Sequence, residues 1–275
     1  MGSFIKIDSE LTLHYESVGQ GDQVILLIPG WTMSTRVFER QLAMFESSDE
    51  FRFVTFDPRA QGLSSKTAGG HYYAQHGCDL HRLIEALELD QIVLGGWSFA
   101  TLAALAYVEQ FGSERLRGFI MLDGPPRASG ENNQLDWVTY RHDDADGQQA
   151  FYTLDRLRQP EASSREFVEW MLEHPARQHM DWLLDITRQM PDEAAALLNA
   201  TSVFCDYRDI LINLERRLPL WYMVRADQQE IVTAWARRHT PTAQIDAFGE
   251  HLMFWERAEA FNNALVNFAR HCNTA

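Results

Sequence analysis

The chain has 275 residues, 45% of them hydrophobic and 12% aromatic, enough to bury a substantial core and too apolar for wholesale disorder. A formal charge of −15 and a sequence pI of about 5.0 exclude a protein that grips a nucleic-acid backbone, which needs a basic stripe. They favour a small neutral or weakly polar partner. Lysine occurs only as Lys6 and Lys66, so arginine carries nearly all the positive charge. Cys78, Cys205 and Cys272 show no CxxC spacing and no paired framework, which fits a reducing compartment. Cys78 falls on a helical pattern and is expected to be a small buried thiol. The start, "MGSFIKIDSELTLHY", lacks a basic segment followed by an apolar one, and no apolar run approaches the roughly 18 residues of a spanning helix. The expectation is a cytoplasmic chain without a membrane partner, monomeric or homodimeric.

Elements follow in a regular order. "FIKIDSELTLHYESVG" alternates and turns at Asp8–Ser9, which predicts a hairpin. "VILLIPG" (24–30) is a short continuous apolar run, as a strand buried on both faces of a parallel sheet requires. A helix is predicted around 35–46, a strand at 51–57, and an amphipathic helix over 73–89. "QIVLGG" is the next buried strand, the segment from Ser98 to about Gly112 is helical, and "LRGFIMLDGPP" (116–126) is again a strand.

The alternation implies a mostly parallel, doubly wound sheet. It breaks from about residue 128 to 217, where "REFVEWMLEH", "HMDWLLDITRQM" and "PDEAAALLNATSVF" read as amphipathic helices in series. Strand "LPLWYMV", helix "EIVTAWARRH", strand "AQIDAF" and a helix after Glu256 then restore the alternation. Residues 1–127 and 218–275 are thus expected to form one core, with 128–217 as a helical cap. Such a cap would cover the strand ends where open α/β sheets bind ligands.

One stretch carries the chemistry. In Gly96-Trp97-Ser98-Phe99-Ala100, small residues stand two positions either side of a serine, between a strand and a helix. A turn too tight for side chains there projects the serine hydroxyl above the sheet. Ala100 in place of a second glycine adds one methyl. The competing reading is a helix cap, a role serine also fills well. A serine hydroxyl needs a base, and the base an orienting acid. His251 lies in "AFGEHLMFWE" between the last strand and the last helix, at the same sheet edge as Ser98. His76, His81 and His271 read as solvated helix-face residues. For the acid two positions are open: Asp123, ending the strand after the nucleophile helix, and Asp227, ending the strand after the cap. Backbone N–H groups of Trp31 and Phe99 are the candidates for an oxyanion hole, with Gly30 letting the chain turn close to the substrate.

These motifs resemble the α/β-hydrolase superfamily over nearly the whole chain. "LLIPGW" is similar to its oxyanion loop, "FDPRAQGLSS" to its D-x-R-G-x-G-x-S turn, "GGWSFA" to its nucleophile elbow and "GEHLMFW" to its histidine loop. Ala60 and Gln61 replace the usual glycine and histidine of that turn, and Asp57 and Arg59 read as structural residues of it. The resemblance implies an α/β-hydrolase fold with a mostly parallel eight-stranded sheet, a Ser-His-Asp triad and no cofactor. Members usually place the acid at the position of Asp227, and some at that of Asp123. "PGWTMSTRVFERQL" resembles small bacterial esterases and lactonases, including those that open N-acyl-homoserine lactone signals, as in quorum quenching. More distantly it resembles cofactor-free dioxygenases of 3-hydroxy-4-quinolones. Those ring-cleaving enzymes typically carry histidine after the serine, where Phe99 stands here, so the expected substrate is an ester or lactone.

The cap contributes Trp137, Tyr140, Phe151, Tyr152, Trp170, Met171, Trp182, Leu183 and Phe204, an apolar set that suits an acyl or aromatic substrate. Gly30, Trp31, Trp97, Trp137, Tyr140 and Trp182 are the candidate substrate contacts. No HExxH, Gly-rich phosphate loop or metal-spaced histidine cluster is present, and "DWVTYRHDDADG" lacks EF-hand spacing and reads as a solvated loop.

Overall fold

A computed structural model describes residues 2–131, 136–141 and 154–274. Phe151, Tyr152 and the second half (142–147) of the acidic "DWVTYRHDDADG" run lie outside the described residues; its first half, expected as a solvated loop, instead buries Asp136, Trp137 and Tyr140. Eight strands form one sheet: β1 (Ser3–Lys6), β2 (Thr12–Val18), β3 (Gln23–Ile28), β4 (Phe51–Phe56), β5 (Ile92–Trp97), β6 (Leu116–Leu122), β9 (Leu220–Val224) and β10 (Gln244–Ala247). Their spatial order is β1-β2-β4-β3-β5-β6-β9-β10. Only β2 runs against its neighbours; from β4 to β10 every pairing is parallel. The central strands are buried except at Gln23 and Arg117, as their apolar runs require once helices cover both faces.

Helices α1 (Glu39–Phe45), α2 (Tyr73–Ala86) and α3 (Ala100–Phe111) flank this sheet. Close approach of α2 to α3 depends on Gly77, where a Cβ would lie 2.8 Å from the Tyr107 amide nitrogen. This packing corrects the reading of His76 as solvated: it is 6% exposed, and burial lowers its pKa to about 4. His81 is half-buried, stacked on Phe111 at 3.8 Å, and His271 is exposed. Cys78, expected inside, is half-buried beside Gln110.

Between β6 and β9 lie two paired two-residue strands, β7 (Ser129–Gly130) and β8 (Tyr140–Arg141), which sequence reading missed because so short a bridge leaves no alternation. The helices that follow are α4 (Arg156–Arg158), α5 (Pro160–Met171), α6 (Arg177–Thr187), α7 (Asp192–Ser202) and α8 (Arg208–Glu215). After β9 come α9 (Gln229–His239), α10 (Met253–Glu256) and α11 (Ala258–Cys272). No helix among the described residues is long and apolar enough to cross a membrane.

The turn after β4 is held by a buried carboxylate. Asp57 accepts hydrogen bonds from the Thr35 and Leu63 amides at 2.6 and 2.7 Å and lies 2.9 Å from His14 Nδ1. Arg59 forms a two-pronged pair with Asp79, both contacts at 2.8 Å. Both residues are structural, and Ala60, at φ +65°, occupies the left-handed conformation that explains the glycine usual in this turn. Asp57→Ala is expected to cost about 3–5 kcal/mol, because it strands a buried histidine and two amides; urea denaturation measures the loss.

Candidate active site

Strand β5 delivers Ser98 through a constrained corner. Gly96 is required because a Cβ there would sit 2.5 Å from the Ala100 carbonyl, inside the first turn of α3. Ser98 itself has φ +57°, a strained value for a residue with a side chain. Its amide donates to the Leu122 carbonyl at 2.7 Å, and its carbonyl accepts from the Thr101 amide and hydroxyl at 3.0 and 2.7 Å. The cap position of α3 belongs to Phe99, with no side-chain capping bond. The hydroxyl is thus held out at the turn, not folded back onto the helix.

Strand β6 ends beside it in Asp123, also at positive φ (+45°). Gly124 follows because a Cβ there would meet the Ser98 carbonyl oxygen at 2.1 Å. Asp123 Oδ2 lies 2.5 Å from His251 Nδ1, and Oδ1 accepts from the Arg225 amide at 3.2 Å. Arg225 Nε is also 3.2 Å from Oδ2. Asp227 lies elsewhere: its side chain is 60% exposed and pairs with Arg225 at 3.5 Å, making no contact with His251. Of the two candidate acids, the fold joins Asp123 to the imidazole and leaves Asp227 outside. The reason is local: after β9 the chain turns into a short 3-10 turn at Ala226–Gln228, which directs Asp227 to solvent.

His251 is 2% exposed. Burial depresses its pKa, and Arg225 adds to this; the bond to Asp123 opposes both without reversing the direction. The ring is therefore neutral near pH 7. Asp123 is pushed up by burial, but the hydrogen bond to His251, the pull of that ring when it is protonated and the Arg225 cation outweigh this and hold its pKa below the ordinary carboxylate value. With Nδ1 committed to Asp123, His251 Nε2 remains buried with no hydrogen-bond partner among the described residues. A neutral imidazole so placed is able to accept a proton at that nitrogen.

The histidine loop is tied down from several sides. Trp97, a candidate substrate contact, is instead buried in the core: its indole donates to the His251 carbonyl at 2.9 Å and its ring packs on Phe254. The Leu252 amide donates to the Met171 carbonyl at the end of α5. Gln41 donates to the Phe254 carbonyl and to Asn262, fixing the turn into α11.

Three aromatic rings from the segment between β6 and β9 reach this site. Phe167 meets Trp31 edge-on at 5.1 Å, Tyr140 meets Phe99 at 5.8 Å, and Trp170 lies over His251 at 4.6 Å. The Trp31 indole donates to the Ala195 carbonyl of α7, so it docks that helix. Gly30 passes so near the elbow that a Cβ would be 3.2 Å from Ser98 Cβ. The Phe99 amide makes no hydrogen bond among the described residues. Two candidates lie away from the site. Trp137 packs on Tyr222 and Trp235 at the flank of the sheet, and Trp182 stacks on Trp255 at 5.0 Å. Both are aromatic contacts of the fold, which sequence cannot separate from pocket residues. Phe204 is 87% exposed. Sequence reading missed Arg225 as a neighbour of the acid, since no motif marks it.

A family profile for the alpha/beta hydrolase fold matches residues 23–173, and the chain belongs to this family. A putative non-heme chloroperoxidase of Synechocystis is 32% identical over 116 residues, 42% of this chain. That match spans 41% of the relative's length, less than half of it. Among solved structures, a bromoperoxidase from Bacillus anthracis superposes with a TM-score of 0.85 at 21% identity, covering 98% of this chain and 100% of that one. An esterase from Exiguobacterium antarcticum gives 0.83 at 21% identity with the same coverage. At that identity the superpositions speak for the fold alone.

Replacing Asp123 with Asn is expected to abolish the low-field His251 Nδ1 proton signal in NMR spectra. The protonation midpoint of the ring should then fall further, since the carboxylate is what raises it. Asp227→Asn is expected to leave both unchanged.

Proposed function

We propose that the protein is a serine hydrolase of carboxylic esters or lactones with a largely apolar acyl part, acting through Ser98, His251 and Asp123. The observation that carries this reading is a serine held at φ +57° at the corner after β5, its amide bonded to the strand that ends in Asp123, the partner of a buried histidine. That histidine has Nδ1 bonded to an acid and Nε2 without a partner. Ser98 Oγ attacks the carbonyl carbon as His251 Nε2 takes its proton. The negative charge that develops on the carbonyl oxygen is received by the Trp31 and Phe99 amides. His251 then gives the proton to the departing alkoxide, leaving an acyl-enzyme. Water, deprotonated by the same nitrogen, attacks the acyl-enzyme and releases the acid and Ser98.

Residues 128–217 serve as the cap in this reading, with Phe167, Tyr140 and Trp170 presenting apolar faces to the loop, the elbow and the base. N-acyl-homoserine lactones belong to the substrate class such a roof accommodates. The hydroxyquinolone dioxygenase alternative is not favoured: Phe99 offers a phenyl ring, packed against Tyr73 and Tyr140, where a polar contact would be needed.

Ser98→Ala is expected to reduce p-nitrophenyl ester hydrolysis at least about 10⁴-fold, since the triad acts as a unit. An undiminished rate contradicts the proposal, as does oxygen consumption with a 3-hydroxy-4-quinolone in the absence of any ester or lactone turnover. In the wild type, kcat/KM should fall toward acid pH with a midpoint below 6.5. The base must be neutral to act, and its pKa lies below that ordinary value.

A further inference from the structure

A small cavity of about 10 Å³, room for roughly one water, opens beside the elbow. Gly30 and Trp31 of the oxyanion loop, Ala100 at the start of α3, and Leu198 of α7 line it, together with Tyr73 and His76. Most of the wall is apolar; the polar exceptions are Gln61, whose Oε1 already accepts from the Thr32 amide, and Tyr73 and His76. Tyr73 is 3% exposed and His76 is 6% exposed. The Tyr73 hydroxyl and His76 Nε2 are both buried and have no hydrogen-bond partner among the described residues. Their rings are 6.1 Å apart, and Tyr73 also meets Phe99, the residue after the nucleophile, at 6.2 Å.

Two unpaired polar atoms on one wall are costly unless something supplies their bonds. Burial holds His76 neutral, with a pKa of about 4, and raises the Tyr73 pKa well above its ordinary value, so neither group escapes the cost by ionising. A neutral imidazole nitrogen and a phenol are together matched by a hydroxyl, which both donates and accepts. Gly30, from the cavity wall, runs past the elbow so closely that a Cβ added to it would stand 3.2 Å from Ser98 Cβ, so the cavity adjoins the Ser98 corner.

We propose that this cavity is an acyl subsite in which the Tyr73 hydroxyl and His76 Nε2 recognise a hydroxyl carried on the acyl chain close to the carbonyl. The inference rests on the hydrolase reading and narrows its substrate class from apolar acyl groups to short hydroxyacyl groups under an apolar roof. In the free enzyme a water fills the cavity, and the substrate hydroxyl displaces it. An acyl chain without oxygen leaves both protein groups unpaired, and for that reason it is the poorer substrate.

The test compares ethyl 3-hydroxybutyrate with ethyl butyrate by pH-stat titration of the acid released. A third ester, 2-hydroxyethyl butyrate, places the hydroxyl on the alcohol side. The expected result is a roughly tenfold higher kcat/KM for the 3-hydroxyacyl ester than for either butyrate ester. Tyr73→Phe and His76→Phe should each remove most of that ratio. A folding defect lowers all rates together and leaves the ratio intact, so the ratio is the readout. A ratio near one that neither variant moves overturns the subsite, and so does a preference confined to the alcohol side. Calorimetric binding of the same esters to the Ser98→Ala protein reads the preference without turnover. Binding preference with no turnover of any ester in the wild type would retain the subsite and reject the hydrolase reading. Turnover without preference would do the reverse.

Discussion

Neighbouring strands β5 and β6 both end on a non-glycine residue forced into the left-handed region, Ser98 at +57° and Asp123 at +45°. That paired strain is the constraint on which the site depends. The Ser98 amide is bonded to the last residue of β6, and the Asp123 amide to Met223 of β9, so each corner is braced by the next strand. Gly96 and Gly124 make room for the two turns to nest. Conformations of this kind cost on the order of 1–3 kcal/mol each and persist only where surrounding structure enforces them. Here a parallel sheet buried on both faces does so.

From that edge the rest of the site is assembled by contacts distant in sequence. The histidine loop is hung from Trp97 through its own carbonyl, and from the end of α5 through Leu252. Trp170 of α5 contacts both the His251 ring and the Arg225 guanidinium, which is 4.9 Å from the indole centroid. Arg225 in turn touches Asp123. His251, Asp123, Arg225 and Trp170 thus form a closed ring of contacts, through which the helical segment supports the imidazole. Burial of His251 and Asp123 strengthens the contact between them.

The sheet and the identity of its helices were legible because buried parallel strands and amphipathic helices leave strong periodic signals. That Ser98 stands at a tight corner between strand and helix, and His251 in the loop before the last helices, could be read from the chain, since such a turn demands small neighbours. The choice between Asp123 and Asp227 could not, because it depends on where a 3-10 turn after β9 sends a side chain. Trp137 and Trp182 show a second limit. Aromatic residues between β6 and β9 look alike in sequence, whether they approach the Ser98 corner, as Tyr140 does by meeting Phe99, or pack a remote flank. His76 shows a third: its burial follows from the Gly77 contact between two helices, which no local pattern around His76 reports.

The account turns on Asp123 as the residue that orients and electrostatically supports the base. Its most direct test is kcat/KM for a p-nitrophenyl ester in Asp123→Asn and Asp227→Asn, each checked for folding by circular dichroism. The account predicts a loss of about 10⁴-fold for Asp123→Asn and a rate within a few-fold of wild type for Asp227→Asn. The reverse pattern, or near wild-type rates in both, would contradict it.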